Sequence, residues 1–294
     1  MIVIARNYGQ LGNRLILYAH FIAAAREYGV SLVNPCFSEY AEHFPATASD
    51  LWCRFSDSGH RESGSPPAWQ RRMLSKTVYL GTKSFSVMGL NHAPFRIIRL
   101  RGDEECDLGS DSFAAAVKGK RPLLVSGWLF RSQRLLEKHA SVIRQHFQVR
   151  EHHRQSIDRL MLGLRETSDV VVGVHIRHGD YATFMDGRYY YSLGQYASVM
   201  RRVVDQLSGR RVTFLVCSNA KLPADAFDGL NVVPGPGHMV EDMYALAETD
   251  FMVGPPSTYT GWASFYGETP LSVMETADHR VNVSAMMHGR VQAA

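Results

Sequence analysis

Four cysteines in 294 residues, Cys36, Cys53, Cys106 and Cys217, form no CxxC pair and follow no regular spacing. A disulfide framework is therefore not expected, and the chain reads as one kept reduced, in a cytoplasmic setting. No run approaches the roughly 18–20 apolar residues of a membrane-spanning helix. The longest candidate, Leu15 to Ala25, is too short and carries Tyr18 and His20. The opening MIVIARNYGQLGN has no basic segment ahead of an apolar stretch, so a secretory leader is not expected. Charge of one sign is also scarce. The 32 Lys and Arg against 28 Asp and Glu leave a formal +4. That excess is too small to argue for nucleic-acid binding, and the pairs Arg71-Arg72, Arg201-Arg202 and Arg210-Arg211 read as solvated surface. It suits an enzyme for an anionic substrate, and it is compatible with peripheral contact at an acidic membrane surface, such as the inner face of a membrane.

Metal and dinucleotide signatures are missing as well. The 13 histidines contain no HxxxH or HExxH, and adjacent His152 and His153 are expected to point in different directions. The acidic run Asp103, Glu104, Glu105, Asp107 reads as a solvated loop, and no DxD-like element is present. No catalytic metal is expected. Gly9-Gln10-Leu11-Gly12-Asn13 lacks the third glycine of GxGxxG, and no GK[ST] follows it. There is no internal repeat and no low-complexity tract.

What is present is an alternating α/β pattern. Apolar residues are 45% of the chain and charged residues 20%, enough to bury a sizeable core, and the length suits two domains. Ile2–Ala5 reads as a strand, followed by a glycine-bearing turn, a helix with apolar residues from Leu11 to Ala25 that stops at Gly29, and a strand over Val30–Val33. Signals weaken from about Phe37 to Asp111, where His60–Pro67, rich in Gly, Ser and Pro, reads as an exposed loop. Pro122–Ser126 reads as a strand; Leu135–Phe147 and His152–Leu164 read as helices. The second half alternates clearly. Strands are expected over Val170–Ile176, Val212–Cys217, Asn231–Val233 and Phe251–Val253. Helices are expected over Ser192–Leu207, Glu241–Ala247 and from Thr260 to Tyr266. The fold class is α/β, with two Rossmann-like domains facing across a cleft, 1–160 on the acceptor side and 161–294 on the nucleotide-sugar side. Ligand is expected at the carboxyl ends of the strands.

Three segments carry chemistry. The run Val170–Ile176 ends on His175-Ile176-Arg177-His178-Gly179-Asp180-Tyr181. An Arg at the carboxyl end of a buried parallel strand offers a planar cation that matches phosphate oxygens. Asp180 can brace that Arg or accept a proton; an Arg–Asp pair that merely ends a strand is the plainer alternative. Gly9 to Asn13 places glycines between a strand and a helix, where backbone N–H groups approach an anion, although an ordinary turn has the same look. Gly254-Pro255-Pro256-Ser257-Thr258 stiffens the exit from a strand and puts two hydroxyl residues where a helix cap belongs, with or without a ligand.

Together these segments resemble the bacterial α-1,2-fucosyltransferase family. Gly9–Asn13 leading into Leu17-Tyr18-Ala19 is similar to its N-terminal signature. His175–Tyr181 resembles its HxRxGDY motif, shared with α-1,6- and protein O-fucosyltransferases. Tyr189-Tyr190-Tyr191, Asp242-Met243-Tyr244-Ala245-Leu246, Asp250, Ser257-Thr258 and Trp262-Ala263 resemble later family segments. The resemblance implies a GT-B arrangement that inverts the anomeric centre and uses GDP-fucose as donor, without a cofactor or metal. It implies that Arg177 contacts the β-phosphate, that His175 sits at the nucleotide, and that Asp242 accepts from the guanine N–H edge. Ser257 and Thr258 would hold the diphosphate, with Gly12 and Asn13 approaching it or the sugar. The expected partners are a GDP-sugar and a glycan acceptor, with no nucleic acid.

Departures from the family pattern fall at His178, where a second Arg is usual, at Ser218-Asn219-Ala220, where Ser-Asp-Asp is usual, and at Tyr259-Thr260-Gly261. They bear on the acceptor and the linkage more than on the donor. Asp180 and Asp186 are the candidate bases. A transferase for another nucleotide-sugar, and a non-catalytic nucleotide-sugar or glycan-binding protein, are the alternative readings.

Overall fold

The computed structural model describes residues 1–55, 64–91 and 94–289. The chain divides into two compact units, Met1–Arg150 and Glu151–Ala294. The expected boundary at 160/161 lies inside the helix Glu151–Thr167, whose buried residues His153, Ile157, Met161 and Leu164 belong to the second unit. That helix cannot be cut without exposing its apolar face, so the division falls before it.

In chain order the first unit contains β1 (Ile2–Ile4), α1 (Leu11–Tyr28), β2 (Leu32–Val33), α2 (Pro45–Ala48), β3 (Arg54–Phe55), α3 (Ala68–Val87) and β4 (Arg96–Arg99). It continues with β5 (Glu105–Asp107), α4 (Asp111–Val117), β6 (Leu123–Ser126), β7 (Leu129–Arg131), α5 (Gln133–Lys138) and α6 (Ala140–His146). The main sheet runs β3-β2-β1-β6-β4, parallel except for the edge strand β3. Helix α1 is buried from Leu15 through Ala25 at every residue but Ile16, and Gly29, with φ 62°, closes it through a hydrogen bond to Ala25 O. Its Tyr18 ring packs on Phe37, which in turn meets Phe44 and Phe147.

Several expectations change here. The helix expected over Leu135–Phe147 is two helices, because His139 leaves helical geometry at φ −112°, ψ 19° and binds Glu27 at 2.8 Å. Half of the acidic run is strand: Glu105–Asp107 pairs with β7 in a small two-stranded parallel sheet. Of the loop expected at His60–Pro67, residues 60–63 lie outside the described residues; Gly64–Pro67 has no regular structure.

Helix α3 lies in the stretch between Phe37 and Asp111 where the sequence signals are weak. Its first-turn residue Arg71 is not solvated as expected but 5% exposed. The guanidinium donates to the carbonyls of Thr47, Ala48 and Asp50 at 3.2, 2.6 and 2.8 Å, so it satisfies the orphan carbonyls at the end of α2. Removing a buried charged donor leaves those acceptors bare. Arg71→Ala is expected to lower unfolding stability by about 3 kcal/mol, read from chemical denaturation; a change below about 0.5 kcal/mol, the range of an ordinary surface substitution, would contradict this packing.

The second unit contains α7 (Glu151–Thr167), β8 (Val170–Ile176), α8 (Leu193–Gln206), β9 (Val212–Ser218), β10 (Val232–Pro234) and α9 (Met239–Leu246). It ends with β11 (Phe251–Gly254), α10 (Thr258–Gly267), β12 (Leu271–Val273) and α11 (Val283–Gly289). All five strands are parallel, in the order β10-β9-β8-β11-β12. The expected alternation is present, and every residue of β8 is buried, as a strand covered on both faces requires. The α8 start is a capping box made by Ser192 and Gln195.

Candidate active site

The chain leaves β8 toward β9 on one side and returns to β11 on the other, so β8 and β11 flank a topological switch point. At such a point the connections diverge and leave a crevice at the carboxyl ends of the strands. Six of the eight expected site residues gather on this edge of the second unit. His175 is the penultimate residue of β8, and Arg177 and Asp180 follow it. Ser257 and Thr258 follow β11, and Asp242 lies in α9 beyond β10.

Arg177 is held in place from two directions. Its Nη2 donates to Asp180 Oδ2 at 2.9 Å, and its guanidinium lies over the Tyr181 ring at 5.5 Å. Tyr181 is buried, and its hydroxyl donates to Pro256 O at 2.7 Å, which ties the loop after β8 to the loop after β11. The Arg177 side chain is 15% exposed and that of Asp180 55%. The cation is thus screened from bulk water while its carboxylate partner stands on the rim. The geometry, with Asp180 Oδ2 on Arg177 Nη2, gives Asp180 a bracing role.

The turn itself depends on Gly179, whose φ is +45° and where a Cβ would stand 2.7 Å from Asn219 Nδ2. Asn219 accepts from His178 N at 2.9 Å through Oδ1, fastening the loop to the end of β9. His178 fills the place of the family's second Arg. Its Nε2 donates to Tyr191 O at 2.8 Å, and its ring stacks on Tyr190 at 4.6 Å, so it shapes the loop from inside. Asp186, the other candidate base, is exposed on the loop Phe184–Gly187 with φ 57°.

His175 is 4% exposed, with its ring stacked on Tyr259 at 4.9 Å. Burial, with the positive charge of Arg177 second, pulls its pKa down to about 3. The imidazole is therefore neutral, and its buried Nδ1 has no hydrogen-bond partner among the described residues. Asp242 is 8% exposed and accepts from Gly237 N at 2.8 Å through Oδ1. Burial pushes its carboxyl up to about 6, against the opposing pull of that N–H. Ser257 caps α10 by accepting from Tyr259 N at 3.2 Å, so the positive end of the helix dipole opens onto the same edge as Arg177.

The remaining two expected residues, Gly12 and Asn13, stand in the first unit, in the opening turn of α1 after β1. The Asn13 amide occupies the space that a Cβ on Gly9 would need, and Gly9 has φ +58°. Asp250 is structural: it pairs with Arg165 and accepts from Val171 N at 2.7 Å. His152 and His153 do not diverge as expected; their ring centroids lie 3.9 Å apart. His153 also stacks on His238 at 4.8 Å and meets Glu241 Oε1 at 2.8 Å.

Tyr259, named above only as a departure from the family pattern, and Gly237 are additions to the expected site. The run Pro234-Gly235-Pro236-Gly237 directly after a strand was the available signal for the second. The first has none, because Tyr259 belongs to the site only through its stacking on His175.

The family model described as Glycosyl transferase family 11 matches residues 126–274, just over half of the chain. The chain belongs to glycosyl transferase family 11. The match spans β8, the Arg177 loop, β9, Asp242 and α10, and it bears out the family resemblance carried by those motifs. No curated protein matches the sequence. Among solved structures, this family 11 glycosyltransferase is similar to a point mutant of Arabidopsis thaliana FUT1 in complex with GDP. That match has 13% identity and a TM-score of 0.59, and covers 92% of this chain and 69% of the other. It is also similar to the α-1,6-fucosyltransferase NodZ of Bradyrhizobium, soaked with GDP-fucose, at 18% identity and a TM-score of 0.53, covering 95% and 96%. POFUT1 in complex with GDP-fucose follows at 11% identity and a TM-score of 0.51, covering 93% and 97%. At these identities the likeness is one of fold, and it agrees with two mixed α/β units built on parallel sheets.

The Gly179 turn offers a direct check on the loop. Gly179→Ala puts a side chain at positive φ, which costs about 1–3 kcal/mol, and also displaces Asn219 from His178. Melting of the full chain is expected to fall by several degrees, at about 2–4 °C per kcal/mol for a unit of this size. An unchanged melting temperature would contradict the turn described.

Proposed function

We propose that this glycosyltransferase moves L-fucose from GDP-fucose to a hydroxyl of a glycan acceptor, in α-1,2 linkage, with inversion at the anomeric carbon and without a metal ion. One observation carries the reading. A screened Arg177, fixed by Asp180 and Tyr181, stands after β8 on the same sheet edge as the capped N-terminus of α10. A fixed cation and a helix N-terminus on one edge suit a diphosphate. The GDP and GDP-fucose held by the similar solved structures support the donor.

In this reading the acceptor oxygen attacks C1 of fucose from the face opposite the nucleotide. The C1–O bond to the β-phosphate breaks, its electron pair leaves with GDP, and the acceptor proton passes to a base. Arg177 and the N–H groups of α10 stabilise the negative charge that grows on the leaving diphosphate, the kind of preorganised electrostatics that dominates many rate enhancements. Asp180 acts as a positioning residue for Arg177. The neutral His175 packs against the nucleotide without adding charge. Ser257 and Thr258 hold phosphate oxygens, and Asp242 accepts from the two N–H groups on the guanine edge. Gly12 and Asn13 approach the diphosphate or the sugar.

The role of Asp242 fixes a pH dependence. Only the ionised carboxylate accepts two N–H donors, and its pKa in the free protein is about 6. GDP affinity is therefore level around neutral pH and falls as pH drops through that value, approaching tenfold per unit below it. Asp242→Asn is expected to weaken GDP by roughly 10–100-fold at neutral pH, the worth of a charge-assisted hydrogen bond, and to flatten the profile. Calorimetric titration of GDP, followed by assay of GDP release from GDP-fucose with glycan acceptors, checks both parts. An affinity indifferent to pH between about 7.5 and 5, or an Asn variant that binds as wild type, would remove Asp242 from the nucleotide site.

A further inference from the structure

Helix α3 has an inner face that the first unit uses and an outer face that it does not. Arg71 and Thr82 are buried, while Val78 and Phe85 pack against Val3, Val33, Ile97 and Leu124. On the outside, Trp69, Met73, Leu80 and Val87 are 62, 61, 47 and 72% exposed, and Met88 and Leu90 continue the patch past the helix end at 61 and 44%. At about 100° per residue the four helical positions fall within roughly 40° of one another, a single stripe along the helix. Six of the thirteen large apolar side chains exposed among the described residues lie in this one segment. Isolated exposed apolar side chains need no explanation, but a contiguous stripe marks a contact surface.

The charges on the same helix decide what the surface fits. Residues 68–87 contain no Asp or Glu. Arg72, Lys76 and Lys83 are all exposed on the outer side, with the two lysines beside the apolar stripe. A stripe of Trp, Met, Leu and Val flanked by cations is the pattern of a helix that lies in a membrane interface. The apolar residues enter the acyl boundary, and the lysine stems follow them while the ammonium groups remain among anionic headgroups. A second copy of the chain meeting this face with the same face would set cation against cation. The face also adjoins a cavity of about 640 Å³ in the first unit, one wall of which is formed by Arg72, Ser75, Lys76 and Tyr79.

We propose that the outer face of α3 docks the first unit onto a lipid bilayer surface rich in anionic headgroups. The contact lies in the plane of the interface and does not span it, in keeping with the finding that no helix among the described residues is long and apolar enough to cross a membrane. Docking is independent of which sugar the enzyme transfers.

Co-sedimentation of the full chain with extruded vesicles tests the proposal. Wild type is expected to pellet with phosphatidylcholine–phosphatidylglycerol vesicles and to stay in solution with phosphatidylcholine alone. Raising salt from about 0.1 M to about 1 M, which shortens the screening length from about 10 Å to about 3 Å, is expected to release it. The triple variant Trp69→Ser, Met73→Ser, Leu80→Ser is expected to lose at least tenfold in vesicle partitioning while keeping the wild-type melting temperature. Lys83→Glu alone is expected to weaken binding several-fold, which keeps the test valid if the triple variant folds poorly. Failure of wild type to pellet with the anionic vesicles, or a folded triple variant that pellets like wild type, would overturn the proposal. So would a dimer in sedimentation equilibrium that the triple variant dissolves, since that result gives the face to a second copy.

Discussion

Strand β8 is buried along its whole length, and the position of the reactive edge follows from that. Val170, Val171, Val172, Val174 and Ile176 are each no more than 1% exposed, and full burial of such a side chain is worth about 1.5–3 kcal/mol. A strand with that much apolar surface pairs with β9 through seven registered positions and with β11 on its other side. The first charged residue after it, Arg177, cannot enter this layer without an unpaired buried charge. It emerges at the carboxyl end, where the connections to the two neighbouring strands diverge. The cation therefore stands at the switch point because the strand before it has nowhere else to place a charge.

The electrostatics around Arg177 follow from the same burial. His175 is stripped of its proton, with a pKa near 3, so it does not compete with Arg177 for an anion. Because an unfolded His titrates near 6.5, its neutral burial stabilises the fold fully above that pH and progressively less as pH falls toward 3. Asp242 has the opposite sign. Its folded pKa of about 6 exceeds the unfolded value near 3.9, so the cost of its buried charge is present at neutral pH and fades as pH falls through 6. A buried carboxylate held charged at neutral pH is destabilised in the empty protein and gains from any ligand that brings N–H donors to it.

Much of the second unit was legible because its signals agree with one another. The run Val170–Ile176 is too uniformly apolar for an amphipathic helix and too short for a buried one, and strand–helix alternation continues from it to Tyr266. The first unit was harder to read between Phe37 and Asp111. Helix α3 carries apolar residues on both faces, Val78 and Phe85 inward and Trp69, Met73 and Leu80 outward, so the sequence shows no contrast between an apolar and a polar face. Its Arg71 looks like a surface residue until the carbonyls of Thr47, Ala48 and Asp50 are brought beneath it, a contact between segments more than twenty residues apart. The site divides in the same way. Arg177, Asp180, Ser257 and Thr258 follow from strand ends and caps, which are local features. The bracing of Arg177 by Tyr181, the Asn219 clasp on His178 and the stacking of Tyr259 on His175 are contacts across strands and have no local signature.

In the proposed reaction Arg177 stabilises the charge leaving with the nucleotide. The most direct test of that role is turnover of GDP-fucose by Arg177→Ala beside wild type, with melting temperature as the control for folding. The expected result is a fall in kcat of about a hundredfold to a thousandfold in a protein that melts as wild type does. Turnover within a few-fold of wild type would contradict that role and would move the chemistry away from the end of β8.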